Sequence, residues 1–175
     1  MNIFFALRIR SRKLAVSGAI AAIYVVVAYL FQPIMFGPIQ FRIPEAMAVL
    51  PFVAPYTMFG LFIGCMLANI FSTSGLPDII FGSLATLLAG FLTSKMKNKW
   101  LAPIPPIIVN MVVIGIMLAV MYAPENILGT IPIYAGEVGL GQIAACYVIG
   151  MPLLTAILKI KPLKDIIVGT SNLEG

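Results

Sequence analysis

The chain has 175 residues, of which 61% are apolar and 10% charged, with a net charge of +5. Soluble domains carry about 45–50% apolar and about 25% charged residues, and a soluble fold with this composition would expose large apolar patches. Ten of the eleven Lys and Arg fall in three clusters, Arg8–Lys13, Lys95–Lys99 and Lys159–Lys164, set between apolar segments, which orients membrane helices and excludes a nucleic-acid binder.

The first apolar run, Leu14–Phe31, is too long for the core of a signal peptide and is followed by others, so it reads as a retained first helix. Gln32–Glu45 then forms an exterior segment in which Pro33, Pro38 and Pro44 oppose helix formation. Its Phe31, Phe36 and Phe41 need burial, either as a lid over a pocket or against lipid headgroups. The next run, Ala46–Ser72, carries Pro51 and Pro55. Placing all three basic clusters in the cytoplasm requires an even number of crossings between Lys13 and Lys95. The run therefore splits near Pro55 into a short helix, Ala46–Ala54, and a full one. At about 1.5 Å per residue the short piece covers about 14 Å of a hydrocarbon core about 30 Å thick. It must be sheltered by neighbours or lie partly at the interface. Ile79–Thr93, Ile107–Met121 and Ile131–Leu158 complete the set, with Thr73–Asp78 and Tyr122–Thr130 as exterior loops. The expected fold is all-α: a bundle of six transmembrane helices with a short second helix and both termini cytoplasmic. Residues 1–163 form a single transmembrane domain and 164–175 a mobile cytoplasmic tail.

Two features stand out against the apolar background. Ala15, Gly18, Ala19 and Ala22 share one face of the first helix, and Gly60, Gly64 and Ala68 share a face of the third. Small residues in a row let another helix approach closely, in the same chain or in a partner. The second feature is polarity at membrane depth, which costs free energy unless paired or hydrated. Arg42, Glu45, Asn69, Asp78 and Glu137 lie toward the outer side and Asn110 deeper, outlining an outward-facing pocket for a small polar molecule. Asp78 and Glu45 each follow a proline and could equally cap a helix; Arg42 and Glu45 could be a surface ion pair; Asn69 and Asn110 could be interhelical glue. Glu137, inside Tyr134-Ala-Gly-Glu-Val-Gly-Leu-Gly141, is the leading candidate for the main acceptor, because the flanking glycines admit a ligand. Cys65 and Cys146 lie within apolar stretches and read as buried thiols. The chain has no histidine and no Gly-x-x-x-x-Gly-Lys-Ser/Thr motif, so no imidazole chemistry and no P-loop ATP hydrolysis are available to it. No catalytic residue, metal ligand or cofactor is expected.

Several stretches resemble the QueT-type substrate-binding (S) components of energy-coupling factor transporters. They are Gly37-Pro-Ile-Gln-Phe-Arg-Ile-Pro-Glu-Ala46, Leu61-Phe-Ile-Gly-Cys-Met-Leu-Ala-Asn69, Leu76-Pro-Asp-Ile-Ile-Phe-Gly-Ser-Leu-Ala-Thr86, Asn98-Lys-Trp-Leu-Ala-Pro103 and Gly136-Glu-Val-Gly139. The resemblance spans about Ser11 to Lys159. It implies six transmembrane helices, a vitamin-like substrate bound near the outer face, a membrane scaffold partner and two cytoplasmic ATPases. The implied substrate class is queuosine precursors, meaning 7-deazaguanine bases or queuine. The alanine-spaced motif that meets the scaffold in such proteins falls on Ala15 and Ala19, with Gly18 and Ala22 on the same face. The alternatives are an S component for another vitamin-like substrate, a self-sufficient secondary transporter or channel, and a structural membrane subunit.

Overall fold

A computed structural model describes residues 3–35 and 41–169. Among the described residues there is no β-strand. Helix α1 (Ile3–Leu30) leads into a short α2 (Gln32–Met35); a 3-10 helix (Ile43–Phe52) precedes α3 (Thr57–Ala68). A π-helical turn (Asp78–Gly82) opens α4 (Ser83–Thr93), and α5 (Ile104–Tyr122) follows. A long run then comprises α6 (Ile127–Ile143), a π-helical segment (Ala144–Gly150) and α7 (Met151–Lys159), before α8 (Lys161–Ile167). Three helical runs, Ile9–Leu30, Lys99–Tyr122 and Pro124–Lys159, are long and apolar enough to cross a membrane. Three shorter apolar helices, Ile43–Phe52, Thr57–Phe71 and Asp78–Thr93, lie between the first two.

The apolar run 46–72 does divide at its prolines. Pro51 and Pro55 each lack an N–H and so each removes a rung from the helical ladder; the 3-10 helix ends one residue after Pro51, at Phe52, and α3 begins at Thr57. The short helix is sheltered: every residue from Pro44 to Leu50, and Pro51 after it, is buried. It forms the axis of the bundle. Gly150 makes one flank possible, since a Cβ there would press within 2.6 Å of the Ala46 carbonyl oxygen.

Small residues set the other close contacts. A Cβ on Gly60 would strike the Ser17 backbone, and one on Gly64 would come within 2.7 Å of the Tyr24 Cβ. The Gly60–Gly64–Ala68 row therefore packs α3 onto α1 within the chain. The face α1 offers is Val16, Ile20, Ala21, Tyr24 and Ala28, all buried. Its small-residue row points elsewhere: Ala15, Gly18, Ala19 and Ala22 are exposed, and a Cβ on Gly18 would meet nothing within 4 Å. Helices α5 and α6 run antiparallel, with Gly115 against Ala135 and Gly139 against Met111.

Arg12 Nη1 donates to the Asp165 carbonyl oxygen (3.2 Å), and Tyr56 Oη to that of Ile167 (2.5 Å). These bonds hold α8 across the end of the bundle where α1 begins. Residues 164–167, expected in a mobile tail, are thus the second half of α8; 170–175 lie outside the described residues. Around the sides, Leu14, Leu76, Leu128, Leu140 and Val148 are all more than two-thirds exposed, with Leu128 at 86%. Such a belt is matched to lipid rather than to water.

Candidate functional site: a buried polar cluster

The first charged pair stands at the start of the short helix: Arg42 caps it with a non-helical backbone, and Glu45 lies in its first turn. Both are buried, Arg42 to 1% and Glu45 to 0% exposure.

Arg42 meets Asp78 at the start of the π-helical turn, its Nη2 donating to Oδ1 at 2.5 Å. Ser72 Oγ donates to the other carboxylate oxygen at 2.5 Å, and Asn69 Nδ2 to the Asp78 carbonyl oxygen at 2.7 Å. The carboxylate is therefore fully engaged, while Arg42 Nε and Nη1 and Asn69 Oδ1 have no protein partner. Gly82 lets these side chains close on its backbone. A Cβ there would lie 2.7 Å from Asn69 Nδ2 and 3.3 Å from both Arg42 Nη1 and Asp78 Oδ1. The π turn is part of the same device, because a π-bulge re-aims the side chains of an otherwise α-helical segment and is frequent at functional sites.

Glu45 is held by α1 and α4. Its Oε1 accepts from Tyr24 Oη of α1 (2.7 Å) and Thr86 Oγ1 of α4 (3.0 Å), leaving Oε2 unpartnered. Asn110 of α5 is buried at the same level: its neighbour Val109 packs with Ala85 and Ala89, which flank Thr86. Asn110 Nδ2 donates to the Pro106 carbonyl oxygen (3.0 Å), and Oδ1 is free. Gln142 of α6 is 1% exposed. Its Oε1 accepts from Cys146 Sγ (3.6 Å), and the same thiol lies 3.5 Å from the Glu45 carbonyl oxygen. Gln142 Nε2 is unpartnered.

Six buried atoms of this cluster thus lack a protein partner: three donor nitrogens, on Arg42 and Gln142, and three acceptor oxygens, on Glu45, Asn69 and Asn110. Each such group costs about 1–3 kcal/mol when left unpaired. Their formal charges, one cation against two carboxylates, sum to an excess of one negative charge if all are ionised. The arrangement suits a small polar molecule that both donates and accepts hydrogen bonds.

Five of the six residues expected from the sequence, Arg42, Glu45, Asn69, Asp78 and Asn110, are buried in this region. Glu137 is not among them. It is half-buried on α6, makes no side-chain hydrogen bond among the described residues, and lies about 140° around the helix from Gln142 at 3.6 residues per turn. Gly139 beside it admits Met111 of α5, and a Cβ on Gly136 would meet nothing within 4 Å, so these glycines do not enclose a ligand. Gln142, Tyr24, Thr86, Ser72 and Gly82 were not singled out by the sequence. Gln142 carries the signal that flagged Asn110, an amide within an apolar helix; the hydroxyls carry little, since Ser and Thr inside helices commonly bond the preceding turn. Of the Gln32–Glu45 segment, Phe31 is 39% exposed and Phe41 half-buried. Phe36 and the Gly37–Gln40 part of the first resembling stretch lie outside the described residues.

All-helical among the described residues and belted with apolar side chains around a buried polar cluster, the bundle has the character of a membrane protein. The chain belongs to the QueT transporter family, a model of which matches residues 14–159. No curated protein and no solved structure matches it.

Proposed function

We propose that the chain is the membrane-embedded substrate-binding component of an ATP-driven energy-coupling factor importer, capturing a queuosine precursor, a 7-deazaguanine base or queuine, from outside the cell. The observation that carries this reading is the set of six unpartnered polar atoms in the buried cluster. A guanine-like edge presents two adjacent N–H groups that one carboxylate accepts together, and Glu45 Oε2 is the free carboxylate oxygen. The surplus negative charge suits a neutral base or an aminomethyl derivative carrying a cation. Arg42, Asn69, Asp78 and Asn110 complete the pocket. The test is ligand-induced thermal stabilisation of the purified protein by 7-deazaguanine, with identification by mass spectrometry of the molecule that co-purifies. Absence of both would remove the substrate assignment.

In this reading the polypeptide crosses the membrane six times with both termini cytoplasmic. Cysteines introduced singly at the exposed Asn126 and Lys97 report on it, because Cys65 and Cys146 are buried. An impermeant thiol reagent on intact cells should label position 126 and spare 97; labelling at 97 would overturn the topology. The exposed Ala15, Gly18, Ala19 and Ala22 face is the docking surface for the scaffold protein, which couples to two cytoplasmic ATPases. Replacing Ala15 and Ala19 with leucine should block close helix approach, so co-purification with the scaffold and uptake both fall. Binding of 7-deazaguanine by the isolated protein should be unchanged, since neither residue is buried in the bundle.

The buried Arg42–Asp78 pair favours a second reading, a carrier that couples uptake to ions without partners. Uptake by liposomes holding this protein alone, driven by an ion gradient, would establish that reading. Loss of cellular uptake on deleting the ATPases supports the first.

A further inference from the structure

We infer that Gln142 is the specificity-determining residue that reads a carbonyl oxygen on the ligand, an inference that rests on the ligand class proposed above. The argument begins with two amides on adjacent helices. Asn110 on α5 spends its Nδ2 on the Pro106 carbonyl and keeps Oδ1 free; Gln142 on α6 spends its Oε1 on the Cys146 thiol and keeps Nε2 free. The Pro106 carbonyl fixes Asn110 so that it offers an acceptor; Gln142 is set by the Cys146 thiol, whose one proton it shares with the Glu45 carbonyl oxygen, and in that arrangement offers a donor.

The antiparallel register, with Gly115 at Ala135 and Met111 at Gly139, sets Asn110 opposite the turn that carries Gln142. No hydrogen bond joins the two amides among the described residues, and Gln142 Nε2 and Asn110 Oδ1 are both buried and unpartnered. Cys146 ties Gln142 to the short helix, because its thiol also approaches the Glu45 carbonyl oxygen. The free Glu45 Oε2 adds a second acceptor to the same level of the bundle. A donor with acceptors at its level is the complement of a cyclic amide edge, in which C=O adjoins N–H. It opposes an amino group at the carbonyl position, since two buried donors would then face each other.

The probe pair is 7-deazaguanine and 2,6-diamino-7-deazapurine; the second replaces the oxo acceptor by an amino donor and, with it, the N1–H donor by a bare N1 acceptor. Calorimetry on the full chain in lipid nanodiscs gives the affinity for each. Wild type should prefer the oxo base by well over about ten-fold, one part of the preference arising at Gln142 and the other where Glu45 meets N1. Gln142→Met, similar in volume but without a donor, should lose about ten-fold for the oxo base and narrow the preference by about that factor. Gln142→Glu offers an acceptor in the same shape and should narrow the preference further, which keeps the test alive if the methionine variant misfolds. Wild type binding neither base would overturn the ligand class and this role together. Wild-type binding of 7-deazaguanine with an unaltered preference in both variants would overturn the role of Gln142 alone.

Discussion

Replacing Asp78 by alanine is expected to destabilise the protein by about 3–5 kcal/mol, the cost of leaving one member of a buried ion pair without its partner. Among the described residues Arg42 has no other acid within salt-bridge distance, is 1% exposed and already carries two unpartnered nitrogens. The Ser72 hydroxyl would lose its acceptor as well. The double substitution Arg42→Met with Asp78→Leu removes both charges and should recover most of that loss. The doubly substituted protein should nevertheless fail to bind 7-deazaguanine, because the free guanidinium donors are gone. Unfolding in detergent, followed by circular dichroism, measures the first effect, and calorimetry the second. A single Asp78→Ala variant as stable as wild type would mean that Arg42 is hydrated and that the cluster is open to water.

Exchanging Glu45 for glutamine should cut ligand affinity by about 1.5–3 kcal/mol, or about 10- to 150-fold. The change keeps the shape and the contacts to Tyr24 and Thr86 within reach, but it removes a charged acceptor and presents a donor to the ligand's N–H groups. Glu137→Gln, on a half-buried acid outside the cluster, should change affinity far less, and the exposed Glu125→Gln should change nothing measurable. Titration of all three variants with 7-deazaguanine decides the matter. A greater loss at Glu137 than at Glu45 would move the site toward the outer half of α6.

The architecture was legible in the sequence where chemistry is local. Prolines at 51 and 55 and the parity of the basic clusters located the break between the short helix and α3. The cost of polarity at depth marked Arg42, Glu45, Asn69, Asp78 and Asn110 as residues needing partners. Which partners they take was not legible. Arg42 and Asp78 are 36 residues apart and Glu45 and Thr86 41 apart, and only packing joins them. Glu137 ranked first because glycines near an acid suggest room for a ligand, whereas Gly139 serves helix packing. The 3-10 form of Ile43–Phe52 was equally hidden, since an apolar segment of that length has no period that separates helix types.

That helix type has a mechanical consequence. Ten residues rise about 20 Å in a 3-10 helix and about 15 Å in an α-helix. The segment therefore reaches farther through the bundle than its length in residues suggests, at the expense of weaker internal hydrogen bonding. Pitch also sets azimuth: side chains three apart stack in a 3-10 helix, and relaxation to α-helical pitch would swing them about 60° apart. A local tightening or loosening of this one strand of backbone would alter stroke length and side-chain alignment together. One end of it holds Glu45; just beyond the other, the Tyr56 carbonyl oxygen accepts a hydrogen bond from Ser17 on α1. Any displacement at Glu45 would be carried along the axis to the helix that bears the exposed alanines.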